Sequence, residues 1–423
     1  MATKKIRPSL VYADTQGNIY DNPELEMLCS HGATLELPRP GEIIPLPEGS
    51  DIFMLPNRRP LGLDPSTGRV EPVDGYAVAA FVSPGYTLSA TVAYAAEGEG
   101  CRLPLFAYGA LGFANGRFYV CAKRVDSDQR QVFTNIPHQR IQRGARSWLE
   151  RYPHNRLVRH LSKCALTSCC PAARNLALGR FEAPLPTARG CNARCVGCIS
   201  LQPPDSGFPA TQNRIEFRPE PQEILQIMRG HAERERRPIF SFGQGCEGEP
   251  LLEAPLLEKT IAAYRAENGV GTVNVNTNGS LPHTMAPLAE AGFSSIRVSL
   301  NSVRPKLYNA YYRPAGYTFD DVLQTLAQAK ANKLFVSLNY LYFPGVNDTE
   351  EELAPLLDLL TDTKPDFIQL RNLNLDPRLY LDLVPEPGPG MGLTNFMKRI
   401  RKAAPWIRFG YFNPYLEQES ARS

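Results

Sequence analysis

Several features that mark large protein classes are missing from this chain. No run approaches 18 uninterrupted apolar residues, so no membrane-spanning helix is expected. Met1-Ala2-Thr3-Lys4-Lys5-Ile6-Arg7-Pro8 lacks the apolar stretch of a secretory signal, and a cytoplasmic location is the expectation. An excess of charge of one sign is also lacking. The 46 Lys and Arg against 43 Asp and Glu leave a formal charge of +3, too little for the basic surface that phosphate-backbone binding usually requires. Nucleic acid is thus an unsupported partner. There is no low-complexity tract, and no repeat beyond an alternation of strands and helices.

What is present is a chain of 423 residues, 43% of them hydrophobic, long enough for one large domain with a proper core and a smaller one. Residues 1–145 are rich in Pro and Gly and hold short β-type runs, such as Tyr76–Val82 and Arg117–Ala122, which predicts a small β-rich N-terminal domain. Residues 146–181 read as an irregular helical connector containing Cys164, Cys169 and Cys170. Over 182–375 the pattern becomes strand and helix in alternation, which predicts βαβ units around a parallel sheet. Six strands are expected, near Ala183, Ile239, Val273, Ile296, Phe335 and Phe367, with amphipathic helices over 219–237, 253–268, 282–291, 318–332 and 349–362. The fold class is therefore α/β, a partial (β/α)6 TIM-type barrel behind a smaller β-rich domain. In such barrels the loops after the strands form the site. Residues 376–423 are a C-terminal extension that opens on a Pro/Gly-rich stretch at 385–390 and holds one more helix and the strand-like Trp406–Phe412.

Ten cysteines in a chain of this size suit metal binding in a reducing compartment better than a disulfide framework. Three of them fall within Cys191-Asn192-Ala193-Arg194-Cys195-Val196-Gly197-Cys198, after the first expected barrel strand, with the spacing C-x3-C-x2-C. Thiolates are soft ligands for iron-sulfur clusters or zinc. Three protein ligands leave one metal corner open, and an open corner can take a substrate.

This loop resembles that of the radical S-adenosylmethionine (SAM) superfamily, over about residues 182–375. The resemblance implies a 4Fe-4S cluster on Cys191, Cys195 and Cys198. Its fourth iron would chelate SAM, and reductive cleavage would give a 5′-deoxyadenosyl radical that abstracts hydrogen from a substrate. An electron donor such as flavodoxin or ferredoxin would be required, and the activity would be that of an oxidoreductase or transferase. Phe242-Gly243-Gln244-Gly245-Cys246-Glu247-Gly248-Glu249-Pro250 resembles the family's Gly-Gly-Glu-Pro turn, which implies Gly248 and Glu249 as partners of the SAM amine, with Glu247 replacing the first glycine. Thr277 and Asn278 after the third strand, and Ser299 and Asn301 after the fourth, stand where the family hydrogen-bonds ribose and the methionyl carboxylate. Turn chemistry and helix capping are the plainer explanation of those four residues. Phe343-Pro344-Gly345-Val346-Asn347-Asp348 likewise resembles a family loop while reading as a helix cap. One departure is Gly197, at a position that is commonly aromatic.

The substrate is not legible. Arg297, Arg304, Arg313 and Arg371, with Tyr340 and Tyr342 near by, are candidates to hold a carboxylate or phosphate, or else form structural ion pairs. A protein, peptide or small metabolite is favoured over RNA. Cys164, Cys169 and Cys170 could ligate an auxiliary cluster, act as redox thiols, or be buried and inert. No cysteine follows Cys246 and no D-x-H-x-x-G motif occurs, so C-terminal auxiliary clusters, a methyl-carrying C-terminal cysteine and cobalamin are not expected. The alternative reading is a zinc-stabilised, non-catalytic interaction protein whose cysteine loop finds its fourth ligand in Cys246, Cys164, Cys169 or Cys170.

Overall fold

In the computed structural model, residues 6–98, 102–384 and 388–417 are described; the Pro385-Glu386-Pro387 part of the expected Pro/Gly-rich opening lies outside them. Antiparallel pairings join fourteen short strands between Ser9 and Arg124. Turn chemistry sets their registers. Asn115 and Gly116 take positive φ of 50° and 75° and close a two-residue hairpin in which Ala114 pairs with Arg117. The centre of this sheet is apolar and tightly filled, with Val11, Val78, Val120 and Leu111 all buried.

Three regular helices follow, His138–Arg151, Arg156–Leu166 and Pro171–Leu178, where the sequence had suggested irregular structure. Asn155 caps the second by accepting from the Val158 N–H at 2.9 Å. Gly144 allows the first to cross the third at close range, because a Cβ there would stand 2.0 Å from the Ala177 carbonyl oxygen. Trp148 joins the core of the next unit and donates its indole N–H to the Leu176 carbonyl.

Seven parallel strands then run in sequential order: Glu182–Pro184, Ile239–Phe242, Thr272–Thr277, Ser295–Leu300, Phe335–Tyr342, Phe367–Asn372 and Arg408–Gly410. Helices cross over between neighbours, giving an open half-barrel. The six expected strands are all present, and the strand-like Arg408–Gly410 extends the sheet, with Ile368 opposite Phe409. A further helix, Pro305–Tyr312, begins with Pro305 at its first turn and was not foreseen from the sequence. The core of this unit runs continuously from Leu185 through Val275 and Val298 to Phe396.

The antiparallel sheet is docked on the half-barrel through polar contacts at the sixth strand. The Leu88 N–H donates to Asn372 Oδ1 at 2.7 Å, Asn372 Nδ2 donates to the Tyr86 carbonyl, and the Thr87 hydroxyl donates to the Leu370 carbonyl. This brings Phe81, Val82 and Pro84 over the strand ends. Beside this seam Arg58 and Asp376 form an ion pair at 3.2 Å, with side chains 4% and 2% exposed. Asp376 also accepts from the Leu103 and Arg378 N–H groups. Removing one member of a buried, hydrogen-bonded pair leaves the other charge stranded, at a cost of about 3–5 kcal/mol. Asp376→Ala should lose that much unfolding free energy in a urea titration, whereas an exposed acid such as Glu233, paired with Arg151 at the surface, should change it little when replaced by Gln.

Candidate functional site

All six of the expected barrel strands contribute to one cavity of about 530 Å³, shared with Phe81, Val82 and Pro84 of the antiparallel sheet and with Tyr411, Phe412 and Asn413. Cys191, Cys195 and Cys198 all line it. Their loop is held from the side by the end of helix Pro305–Tyr312: the Val196 N–H donates to the Tyr311 carbonyl at 2.9 Å and the Arg194 N–H to the Tyr312 carbonyl at 3.0 Å. The missing side chain of Gly197 is explained by the same helix. A Cβ there would stand 2.5 Å from the Tyr311 hydroxyl oxygen, so a buried aromatic ring from elsewhere in the chain fills the place beside the third cysteine.

Burial disfavours the charged form of two of the three thiols. Burial pushes Cys191 up to about 11, helped by the Glu249 carboxylate. Burial and then the neighbouring Cys198 and Cys191 push Cys195 well above the usual thiol range. Arg214 is the nearest compensating cation, with Nη2 at 3.5 Å from Cys198 Sγ; nothing in the sequence had singled it out. A positive iron-sulfur core would relieve this mutual repulsion. A single ion fits less well. Among the described residues, one trio of candidate ligands brings all its donor atoms within 4.8 Å of one another, and it is not Cys191, Cys195 and Cys198. A cluster spreads its cysteine sulfurs over several metal atoms, so its ligands need not converge on one point. Cys246, a proposed fourth ligand of a closed zinc site here, stands instead with His160 and Cys164. Cys169 is exposed and outside that group.

Beside the cysteines, two buried glutamates tie three strand ends together. Glu249 accepts from the Thr277 hydroxyl at 2.6 Å, the Asn278 N–H at 2.8 Å and the Leu251 N–H at 3.0 Å. Asn278 Nδ2 donates to Asn192 Oδ1 at 2.8 Å, which reaches back into the cysteine loop. Burial pushes Glu249 up to about 7 against these bonds. Since a carboxylate offers about four lone-pair sites, Glu249 retains room for one more donor from the cavity. Glu247 is different. It accepts from the N–H groups of Gly243, Gln244, Thr187 and Ala188 at 2.6–2.9 Å, so its side chain staples the first strand's exit to the second's. Gly248 packs against the cysteine loop itself, its N–H donating to the Ala188 carbonyl at 2.7 Å.

Of the four polar residues expected after strands three and four, Thr277, Asn278 and Ser299 line the cavity, and Ser299 Oγ accepts from Asn339 Nδ2 at 3.1 Å. Asn301 does not line it. It is fully buried beneath the fourth strand's exit, donating to the Leu307 carbonyl and the Tyr380 hydroxyl. Its carbonyl accepts from Asn347 Nδ2 at 2.6 Å, a structural role fixed by a helix that the sequence had not revealed.

The arginines separate cleanly. Arg304 pairs with buried Glu352 at 2.9 Å, and Arg313 ends a helix with a left-handed backbone. Tyr340 is buried under the helices and bonded to the same Glu352, and Tyr342 is buried against Phe396. Arg297 and Arg371 line the cavity. Both donate to one neutral acceptor, Gln369 Oε1, at 3.0 and 3.5 Å. Neither has a carboxylate within ion-pair distance among the described residues, and the Nε of each is buried without a partner. Burial, then the Arg371 charge, holds Arg297 down to about 9. Asn339 Oδ1 and the Tyr312 hydroxyl, also on the cavity wall, are likewise unpartnered.

A Cβ on Gly248 would meet the Gly190 carbonyl oxygen at 1.8 Å and its carbon at 2.4 Å, both backbone. Gly248→Ala should therefore displace the cysteine loop, costing about 1–3 kcal/mol as overpacking usually does. The measurement is iron content after anaerobic reconstitution together with the thermal midpoint, and both should fall.

Residues 185–357 match the family model described as Radical SAM superfamily. The GTP 3′,8-cyclase of Heliobacterium modesticaldum is 31% identical over 188 residues, covering 43% of this chain and 52% of the relative. Molybdenum cofactor biosynthesis protein 1 of Bos taurus is 28% identical over 212 residues, covering 50% of this chain and 29% of that protein. The chain thus spans about half the length of the first of these relatives and less of the second. Among solved structures, HydG, a maturase of the FeFe-hydrogenase, aligns with a TM-score of 0.40 and 15% identity over 64% of this chain and 65% of that one. With the cysteine loop at its start, the segment 185–357 is a radical SAM domain, of the superfamily whose cofactors are a 4Fe-4S cluster and S-adenosylmethionine.

Proposed function

We propose that the protein cleaves SAM reductively and directs the resulting radical at a small anionic metabolite held by Arg297 and Arg371. The bound cofactors supply the chemistry: one electron, from a reduced flavodoxin or ferredoxin, breaks a sulfonium C–S bond to give methionine and a 5′-deoxyadenosyl radical, which takes a hydrogen atom from the substrate. Cys191, Cys195 and Cys198 are the protein's ligands to the cluster. Glu249, which lines the cavity and has three of its about four acceptor sites filled, accepts from the SAM ammonium, and Gly248 permits the close approach of this turn to the cysteine loop. Thr277 and Asn278 act through Glu249 by fixing its carboxylate, and Ser299 is a hydroxyl partner for the ribose or the methionyl carboxylate. Such chemistry needs a reducing compartment, which supports a cytosolic location.

The observation behind the substrate class is the pair of half-buried guanidinium groups that share one amide oxygen and have no carboxylate within ion-pair distance among the described residues, Glu182 acting on Arg297 only from farther off. Two like charges held together in a cavity favour a ligand with negative charge, and guanidinium forks suit carboxylate or phosphate oxygens. Arg371 is further fixed over the Tyr411 ring, 3.9 Å from its centroid, so its fork is pre-oriented. Phe81, Val82 and Pro84 close the cavity from the antiparallel sheet, which makes that sheet a determinant of what enters. The name GTP 3′,8-cyclase among the relatives supports a nucleoside triphosphate as the first compound to try.

Binding by the reconstituted protein should be measured by calorimetry, with GTP, other nucleotides and small dicarboxylates in turn. At least one anion should bind, and Arg297→Gln and Arg371→Gln should each weaken it by about 10- to 100-fold, the range for a charge-assisted hydrogen bond. Anion affinity unchanged in both variants would refute the assignment. Separately, Glu249→Gln should weaken SAM binding by a similar factor while leaving the iron content intact. Equal SAM affinity in that variant would remove Glu249 from the cofactor site.

A further inference from the structure

Away from the cysteine loop, a second group of side chains has the composition and spacing of a metal site. His160 and Cys164 stand four residues apart on the helix Arg156–Leu166 and so share one of its faces. Cys246 meets them from the turn after the second barrel strand, and the ligand atoms of all three lie within 4.8 Å of one another. His160 Nε2 is 3.5 Å from Cys164 Sγ. Tetrahedral zinc, with bonds of about 2.3 Å to sulfur and about 2.0 Å to nitrogen, requires a sulfur-to-nitrogen edge of about 3.5 Å and a sulfur-to-sulfur edge of about 3.8 Å. The first edge is already in place and the second lies inside the observed spacing.

The surroundings favour an ion over an accidental contact. Cys164 and Cys246 are each only 4% exposed, in a cluster that mixes Ala145, Ala165, Ala173 and Ala177 with the larger Ile141. A third thiol, that of Cys170, packs against it, and the Cys170 N–H is bonded to the Cys164 carbonyl. His160 is half-buried, which leaves a route in for a cation. Thiolate with imidazole is a donor set for zinc and similar thiophilic cations, not for calcium or magnesium. The compactness of the trio also fits one ion better than a cluster.

We propose that His160, Cys164 and Cys246 bind a single zinc ion; the thiol of Cys170, packed beside the trio but outside its 4.8 Å group, completes the tetrahedron only by a side-chain shift, and water takes the fourth position otherwise. Binding releases the thiol protons to solvent and involves no change of oxidation state. The ion ties the connector helix to the turn that contains Glu247, Gly248 and Glu249, and so fixes that turn from behind. Cys170 and Cys246 stand on the wall of the same cavity as the cysteine loop, but none of the loop's three cysteines belongs to this group, and the site does not depend on SAM cleavage.

The test uses the full chain isolated anaerobically, with zinc and iron quantified by mass spectrometry. The Cys191→Ala/Cys195→Ala/Cys198→Ala variant should lose its iron and keep about one zinc per chain, as a single tetrahedral site requires. Cys164→Ala/Cys246→Ala should lose the zinc and still take up iron on reconstitution. Cobalt(II) added to the zinc-stripped triple variant should give thiolate charge-transfer bands and the intense visible absorption of a tetrahedral ion. The milder His160→Gln variant, checked for folding by circular dichroism, should weaken cobalt binding at least tenfold. Zinc lost from the triple variant, zinc retained by the double variant, a weak octahedral cobalt spectrum, or a Cys164–Cys246 disulfide in the anaerobic protein would each overturn the proposal.

Discussion

Two carboxylates, buried at 4% and 3% exposure, hold the functional end of the half-barrel together. Glu247 takes four backbone N–H groups from the exits of the first and second strands, and Glu249 takes a hydroxyl and two N–H groups from the second and third. Where the chain leaves a strand its N–H groups lose their ladder partners, and a buried donor without a partner costs about 1–3 kcal/mol. Here the two glutamates satisfy those donors and in doing so set the distance between the cysteine loop and the turn beside it. Burial opposes their charge, pushing both up to about 7, so the arrangement depends on the hydrogen bonds being complete. The glycines around them are consequences: Gly248 is glycine because the loop it touches leaves no space for a side chain.

Much of this was legible in the sequence because it rests on local spacing. C-x3-C-x2-C after a strand is a short-range pattern, and the six strands reveal themselves through apolar runs of the length a buried parallel sheet needs. Positions such as Thr277 and Ser299 could be located because a polar residue closing an apolar strand points to the strand's C-terminal end. Their hydrogen bonds, in contrast, run between segments far apart in the chain.

What escaped the sequence escaped for the same reason. Asn301 looked like its neighbour Ser299, but the helix Pro305–Tyr312 turns it inward to satisfy Leu307 and Tyr380. Glu247 read as a departure from a glycine pattern, whereas its four backbone partners make it a structural staple. Arg214 and Tyr311 gave no signal, since a lone arginine or tyrosine in a polar segment has many plain explanations. Arg297 and Arg371 were two of four equivalent candidates until the packing gave Arg304 an acid and left these two without one. The grouping of Cys246 with His160 and Cys164 needed the connector helix to be placed against the barrel, and helix docking leaves little trace in local periodicity.

The account stands or falls on whether the open cavity is a SAM-cleaving site. The protein, reconstituted with iron and sulfide without oxygen and reduced with dithionite, should be given SAM and assayed for 5′-deoxyadenosine by mass spectrometry. The native chain should yield 5′-deoxyadenosine and methionine, and none should form when Cys191, Cys195 and Cys198 are all replaced by alanine. A chain that binds its full complement of iron and forms no 5′-deoxyadenosine, with or without an anion that binds at Arg297 and Arg371, would contradict it.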